Sequence, residues 1–148
     1  MIDKKNCHKL YQYLPLIGRV LLGLIFVIAG FGKLSNPAGA VGYMTAYGLP
    51  YADFLVWPTG LLEFGGGILL IVGWHARCAA TALILFTVAA TFIFHAFWSV
   101  SADQMQMQQI MFLKNLAIIG GLLYVVAYGS GACSIGKGCN STSISKET

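Results

Sequence analysis

Charge is what this sequence has least of. Five Asp and Glu and nine Lys and Arg make 9% of 148 residues, where a soluble domain carries about a quarter. A surface that poor in ions cannot face water all round. The hydrophobic share is 57% and the mean hydropathy +0.75. The apolar residues fall in long runs, so the chain is read as integral to a membrane. Its basic residues are scattered rather than set in a stripe, which excludes nucleic acid as a partner. Cysteine is sparse and unpatterned: Cys7, Cys78, Cys133 and Cys139 form no CxxC and no metal-ligand spacing, and are read as ordinary thiols. Met105, Met107 and Met111 would suit Cu(I) together with His95, but methionines beside a membrane more often pack, and no metal is assigned. Nor is a cofactor encoded. There is no glycine-rich phosphate loop after a strand and no histidine pair set for haem.

Glycine, by contrast, is plentiful. Eighteen glycines suit a membrane protein whose helices approach closely. Four apolar runs predict transmembrane helices over about 14–33, 52–73, 76–98 and 108–129. The polar segment 1–13 carries Lys4, Lys5 and Lys9, with Tyr11 and Tyr13 where a headgroup belt would lie. Asn36 and Pro37 read as N-cap and first position of a short helix. Tyr43, Tyr47 and Tyr51 recur every four residues along it, and Gly48 and Pro50 close it, so it is expected to lie in the membrane interface. Residues 130–148, rich in Gly and Ser, are expected to be a disordered tail. The fold class is then all-α: an integral membrane antiparallel four-helix bundle over 14–129, with an interfacial helix between its first and second spans. Four spans put both termini on one side, with Lys4, Lys5, Lys9, Arg77, Lys137 and Lys146. The positive-inside rule makes that side cytoplasmic.

The residue that stands out is Glu63, about eleven residues into the second run, or roughly 16 Å from its start. An ionised carboxylate there costs several kcal/mol unless it has a partner. Gly60 and Gly67 share its helix face, as expected for a face that meets another helix. In the first run Arg19, Gly23, Phe26, Gly30 and Lys33 form one stripe. In the last run Lys114 shares a face with Gly121. Gly23, Gly30, Gly60, Gly67 and Gly121 are expected at helix contacts.

Helix rise brings Arg19 from one end and Lys114 from the other to within reach of Glu63. Lys33 is read as extending to its own interface. Thr87, Thr91 and His95 form a polar stripe, with His95 either an interface residue or a proton-exchanging group. The candidate site is therefore Arg19, Glu63, His95, Lys114 and Lys33. One reading is an ion pair that only fixes helix register. The other is a small polar cavity that binds an acidic or quinone-like head group, or relays protons.

The chain resembles the DoxX family of small bacterial inner-membrane proteins, and within it the short YqjF-like members. The likeness rests on Arg19, AGFGKL (29–34), YGLP (47–50), LEFGGG (62–67), GWHAR (73–77), FHAFW (94–98) and FLKNL (112–116), in that order. It covers about 16–135. The resemblance implies four membrane helices, an inner-membrane location and an oxidoreductase label, since relatives are linked to quinone, thiol or sulfur chemistry and oxidative stress. A quinone is the cofactor it suggests. The candidate partners are the lipid bilayer, a soluble or membrane redox protein that supplies electrons, and a second copy of the chain. The rival reading is non-enzymatic: a small-solute binding or transport module, or an assembly factor.

Overall fold

The computed structural model describes residues 4–135, with side chains from residue 11 onward. Among the described residues there are five α-helices and no strand: α1 (Lys4–Ser35), α2 (Pro37–Ala46), α3 (Ala52–Val72), α4 (Ala76–Phe94) and α5 (Ala102–Tyr128), with a 3-10 turn at Phe97–Ser99 before α5. Four segments, Tyr11–Ser35, Ala52–Val72, Ala76–Ser99 and Ala102–Tyr128, are long and apolar enough to cross a membrane. The 21 residues of α3 reach roughly 31 Å at 1.5 Å per residue, the thickness of a hydrocarbon core. The architecture is an all-α four-span bundle with α2 as a short extra helix. The start of α1, the α3–α4 turn and the end of α5 share one side, called here the terminal side; α2 and residues 95–101 lie on the opposite, loop side.

The bundle is built as two pairs. α1 lies along α3, α5 lies along α4, and α3 joins α4, while α1 and α5 meet at few points. Glycine sets the first pairing. A Cβ on Gly23 would come within 2.8 Å of the Gly67 carbonyl oxygen, and one on Gly30 within 2.7 Å of that of Gly60. The two contacts are seven residues apart on each antiparallel helix, or two turns, so backbone meets backbone twice along the crossing. Gly121 packs against Leu22 and is one of the places where α5 touches α1.

The protein is apolar outside and polar at chosen points inside. Leu21, Ile28, Phe31, Leu61, Leu85 and Phe92 are exposed, whereas Arg19, Glu63, Thr87 and Thr91 are buried. Around Leu70, Ala80, Leu83 and Leu122 a core without polar atoms ties α3, α4 and α5 together, with Phe26 from α1.

Three boundaries differ from the sequence expectation. The helix expected from residue 14 already runs from Lys4, because polarity does not break a helix. α4 stops at Phe94 instead of 98, where the His95 amide still bonds to Thr91 but the chain then turns, although the apolar segment runs on to Ser99. The last span starts at Ala102 instead of about 108, with the Ser101 carbonyl accepting from Gln104 and Met105.

The tail is corrected in part. Ser134 is buried and the Ile135 amide donates to the Val72 carbonyl, so 130–135 pack on the terminal side; 136–148 lie outside the described residues. Cys133 is disulfide-bonded, which corrects the reading of ordinary thiols at that position, while Cys78 is free and exposed.

Replacing Gly30 by Ala is expected to lower unfolding free energy by about 1–3 kcal/mol, because the added methyl meets fixed backbone. Replacing Gly18, whose Cβ would meet nothing within 4 Å, is expected to leave stability unchanged or slightly raised. Thermal melts followed by circular dichroism in detergent distinguish the two.

Candidate membrane cavity

Arg19 is 1% exposed, and its partners are carbonyls. Nη1 donates to Ile71 at 3.2 Å and Leu70 at 3.4 Å, and Nη2 to Cys133 at 2.8 Å. Leu70 and Ile71 belong to the last turn of α3, whose carbonyls have no helical partner and carry the negative end of the helix dipole. A guanidinium suits that position, since its fixed fork spreads over several acceptors. The expected approach of Arg19 to Glu63 is therefore corrected: Arg19 clamps the terminal-side end of α3 to the segment after α5.

Glu63 pairs instead with Lys33, Nζ donating to Oε2 in a closed ion pair. Lys33 was expected to run out to its own interface; it turns inward. Gly60 explains how. A Cβ on Gly60 would lie 3.3 Å from the Lys33 Cβ, so the lysine stem lies over a residue without a side chain, and its ammonium reaches the carboxylate three residues further along α3. The Phe86 ring lies beneath the ammonium, 5.7 Å from Nζ to its centroid, and adds a cation–π contact.

The pair lines a cavity of about 250 Å³ between α1, α3, α4 and α5 on the loop-side half of the bundle. The cavity also takes in Tyr43, His95, Lys114 and Asn115, against walls of Phe26, Phe86, Phe94 and Ile118. Lys33, Glu63, His95 and Lys114 thus share one space, from which Arg19 is absent. Lys114 does not reach Glu63 as an ion-pair partner. Its Nζ meets the Met111 Sδ at 3.1 Å, a weak acceptor, and Lys33–Glu63 is the one salt bridge among the described residues.

His95 sits where α4 ends. Its Nδ1 is 2.8 Å from the Gln108 Oε1, and the Gln108 Nε2 donates to the Tyr47 hydroxyl at 3.2 Å. An amide oxygen only accepts, so Nδ1 is the donor in this contact. Tyr43 and Tyr47 each lie 5.3 Å from the Phe94 ring, centroid to centroid, so α2 is strapped across the loop-side end of α4. Burial, then the hydrogen bond and charge of Tyr47, push the Tyr43 phenol up to about 12, so it stays a neutral donor at the cavity. The threonine stripe is bonded within the protein: Thr87 and Thr91 donate to the carbonyls of Leu83 and Thr87 on their own helix, and Asn115 donates to Thr91. Tyr43, Gln108 and Asn115 are absent from the sequence-derived candidates. Asn115 alone left a signal, as a second polar residue beside Lys114 within an apolar run.

The family model for DoxX matches residues 14–96, which carry Lys33, Glu63 and His95. The chain belongs to the DoxX family. Among curated proteins, Inner membrane protein YqjF of Escherichia coli (strain K12) is 37% identical over 122 residues, 82% of this chain and 88% of that one. Inner membrane protein YphA of the same organism is 32% identical, over 84% and 89%. The Surfeit locus protein 4 homolog of Schizosaccharomyces pombe (strain 972 / ATCC 24843) is 30% identical over 86% of this chain but 38% of its own length. No solved structure matches. Lys114 and Asn115, on α5, lie beyond the part of this DoxX chain that the family model covers.

Removing one member of a buried pair costs about 3–5 kcal/mol, whereas replacing both by apolar groups is often neutral. Lys33→Met and Glu63→Leu are each expected to destabilise this DoxX protein strongly, and the double variant to recover most of the loss. Unfolding titrations of the three variants in detergent measure it.

Proposed function

We propose that this DoxX protein is the membrane component of an oxidoreductase system, and that the cavity beside Glu63 receives the head group of a quinone-like or small anionic molecule. The observation that supports the reading is the shared cavity itself: an ion pair, a second ammonium, an imidazole and a phenol around one space, in a bundle whose outer surface is apolar. Polar groups at that depth are costly and typically mark a ligand or ion pathway. The ammonium of Lys114 and the neutral phenol of Tyr43 supply donors to an oxygen-rich head group, and the imidazole of His95 a further polar contact. Phe86 and Phe94 supply flat walls. In this reading electrons come from a partner protein.

Mass spectrometry of small molecules retained through mild detergent purification tests it. Wild type is expected to retain a specific quinone or small acid, and Glu63→Gln to lose it while keeping its helical circular dichroism at a lowered melting temperature. Nothing retained by either protein would leave the rival reading, an assembly or transport module with a structural ion-pair core, which the closed Lys33–Glu63 contact favours.

The membrane proposed is the bacterial inner membrane, the location that the printed names of the two Escherichia coli relatives carry. The terminal side is assigned to the cytoplasm because Lys4, Lys5, Lys9 and Arg77 collect there. The disulfide at Cys133 runs against that assignment, since disulfides are rare in reducing compartments. In a variant whose single cysteine is Cys78, a membrane-impermeant maleimide is expected to label inverted vesicles and spare intact spheroplasts. The opposite pattern would reverse the orientation.

A further inference from the structure

α1 and α5 are the least closely packed neighbours in the bundle, and their seam holds two cavities. One is the polar cavity, reached by Ile25 and Phe26 of α1 and Ile118 of α5. The other, about 240 Å³, lies toward the terminal side between Pro15, Gly18 and Leu22 of α1 and Gly121, Tyr124 and Val125 of α5. Leu22 is one turn from Phe26, and Gly121 one turn from Ile118, so the two compartments adjoin end to end. Between the two sets of lining residues, the flexible end of Leu22 packs on Gly121. From Lys114 to Tyr128 is 14 residues, or roughly 21 Å along α5.

The two halves differ in chemistry. The terminal-side groove is mostly apolar: its polar side chains are Arg19, Ser130 and the hydroxyl-tipped Tyr124 and Tyr128, and the Arg19 guanidinium is turned to the carbonyls of α3 and Cys133. The loop-side cavity carries an uncompensated positive charge: Glu63 is taken by Lys33, and Lys114 has a thioether for its partner. Lys114 is exposed at the rim of that cavity, where its ammonium can pair with the charge of an entering anion. Each compartment is smaller than the roughly 300–1,000 Å³ of a drug-sized pocket, which favours one narrow chain over the two acyl chains and glycerol of a phospholipid.

We propose that the α1–α5 seam binds a single-chain amphipathic acid, with its carboxylate on Lys114 in the polar cavity and its alkyl tail laid past Leu22 into the groove between Gly18 and Tyr124. The inference rests on the reading of the polar cavity as a ligand site and names the ligand class: an anion with a tail, delivered sideways from the bilayer. Entry needs no opening of the bundle core, since the seam already faces lipid.

Native mass spectrometry of the full chain in detergent, titrated with oleate, oleyl alcohol and benzoate, tests it. Gly18→Phe adds a ring to the groove wall at a position where a Cβ meets nothing within 4 Å; Gly18→Leu is the milder second variant. Lys114→Gln removes the charge. Wild type is expected to bind one oleate, with at least tenfold weaker binding in Gly18→Phe and Lys114→Gln and at least tenfold weaker binding of oleyl alcohol to wild type. Benzoate, which reaches only the polar cavity, is expected to bind wild type and Gly18→Phe alike and to be lost in Lys114→Gln.

Oleate binding unchanged by both Gly18 variants would overturn the tail site, and oleyl alcohol binding as tightly as oleate would overturn the acid. A two-chain anionic phospholipid displacing oleate would overturn the single chain. Benzoate bound without oleate defeats this inference and leaves the cavity reading standing; neither bound defeats both.

Discussion

Lys33 and Glu63 hold each other in a place where neither charge stands alone. In water such a pair contributes little; inside a bilayer the alternative for each partner is an unpaired ion, so the pair fixes how α1 sits on α3. The Gly23–Gly67 and Gly30–Gly60 contacts serve the same crossing. They bring the backbones close enough for the lysine stem to pass over Gly60 and reach inward. Packing and charge pairing therefore specify one register together, and the cavity beside Glu63 exists because that register leaves α5 standing off from α1.

The same rule, that every buried polar group must find a partner inside the protein, accounts for the rest of the polar interior. Arg19 serves the carbonyls at the end of α3. The threonines of α4 turn back on their own helix. Asn115 bonds to Thr91, and Gln108 links His95 to Tyr47. Left over are the buried Arg19 Nε, which meets no acceptor among the described residues, and the exposed ammonium of Lys114, whose partner is a sulfur and which lines the cavity.

Much of this was legible in the sequence. The four spans, the short helix after Asn36 and the depth of Glu63 follow from runs, caps and rise. The pairing did not. Rise per residue locates a side chain along the helix axis but not around it, so Arg19 and Lys114 looked equally close to Glu63. Lys33 looked terminal because its inward reach depends on the missing side chain of Gly60 on another helix. The start of α5 was hidden because Asp103, Gln104, Gln106 and Gln108 read as a loop by polarity, though all are tolerated in a helix. The packing of residues 130–135 was hidden because its cause is the guanidinium of a residue in the first span.

That guanidinium imposes an order on assembly. Arg19 enters the membrane with the first helix, yet its acceptors at Leu70 and Ile71 belong to the second span, and the one at Cys133 follows the last. Between those events a charged group waits at the terminal-side boundary with donors unmet. The first helix of this protein is therefore completed only after the fourth span has been made, and a ribosome that stops short of Cys133 leaves behind four spans with an open latch.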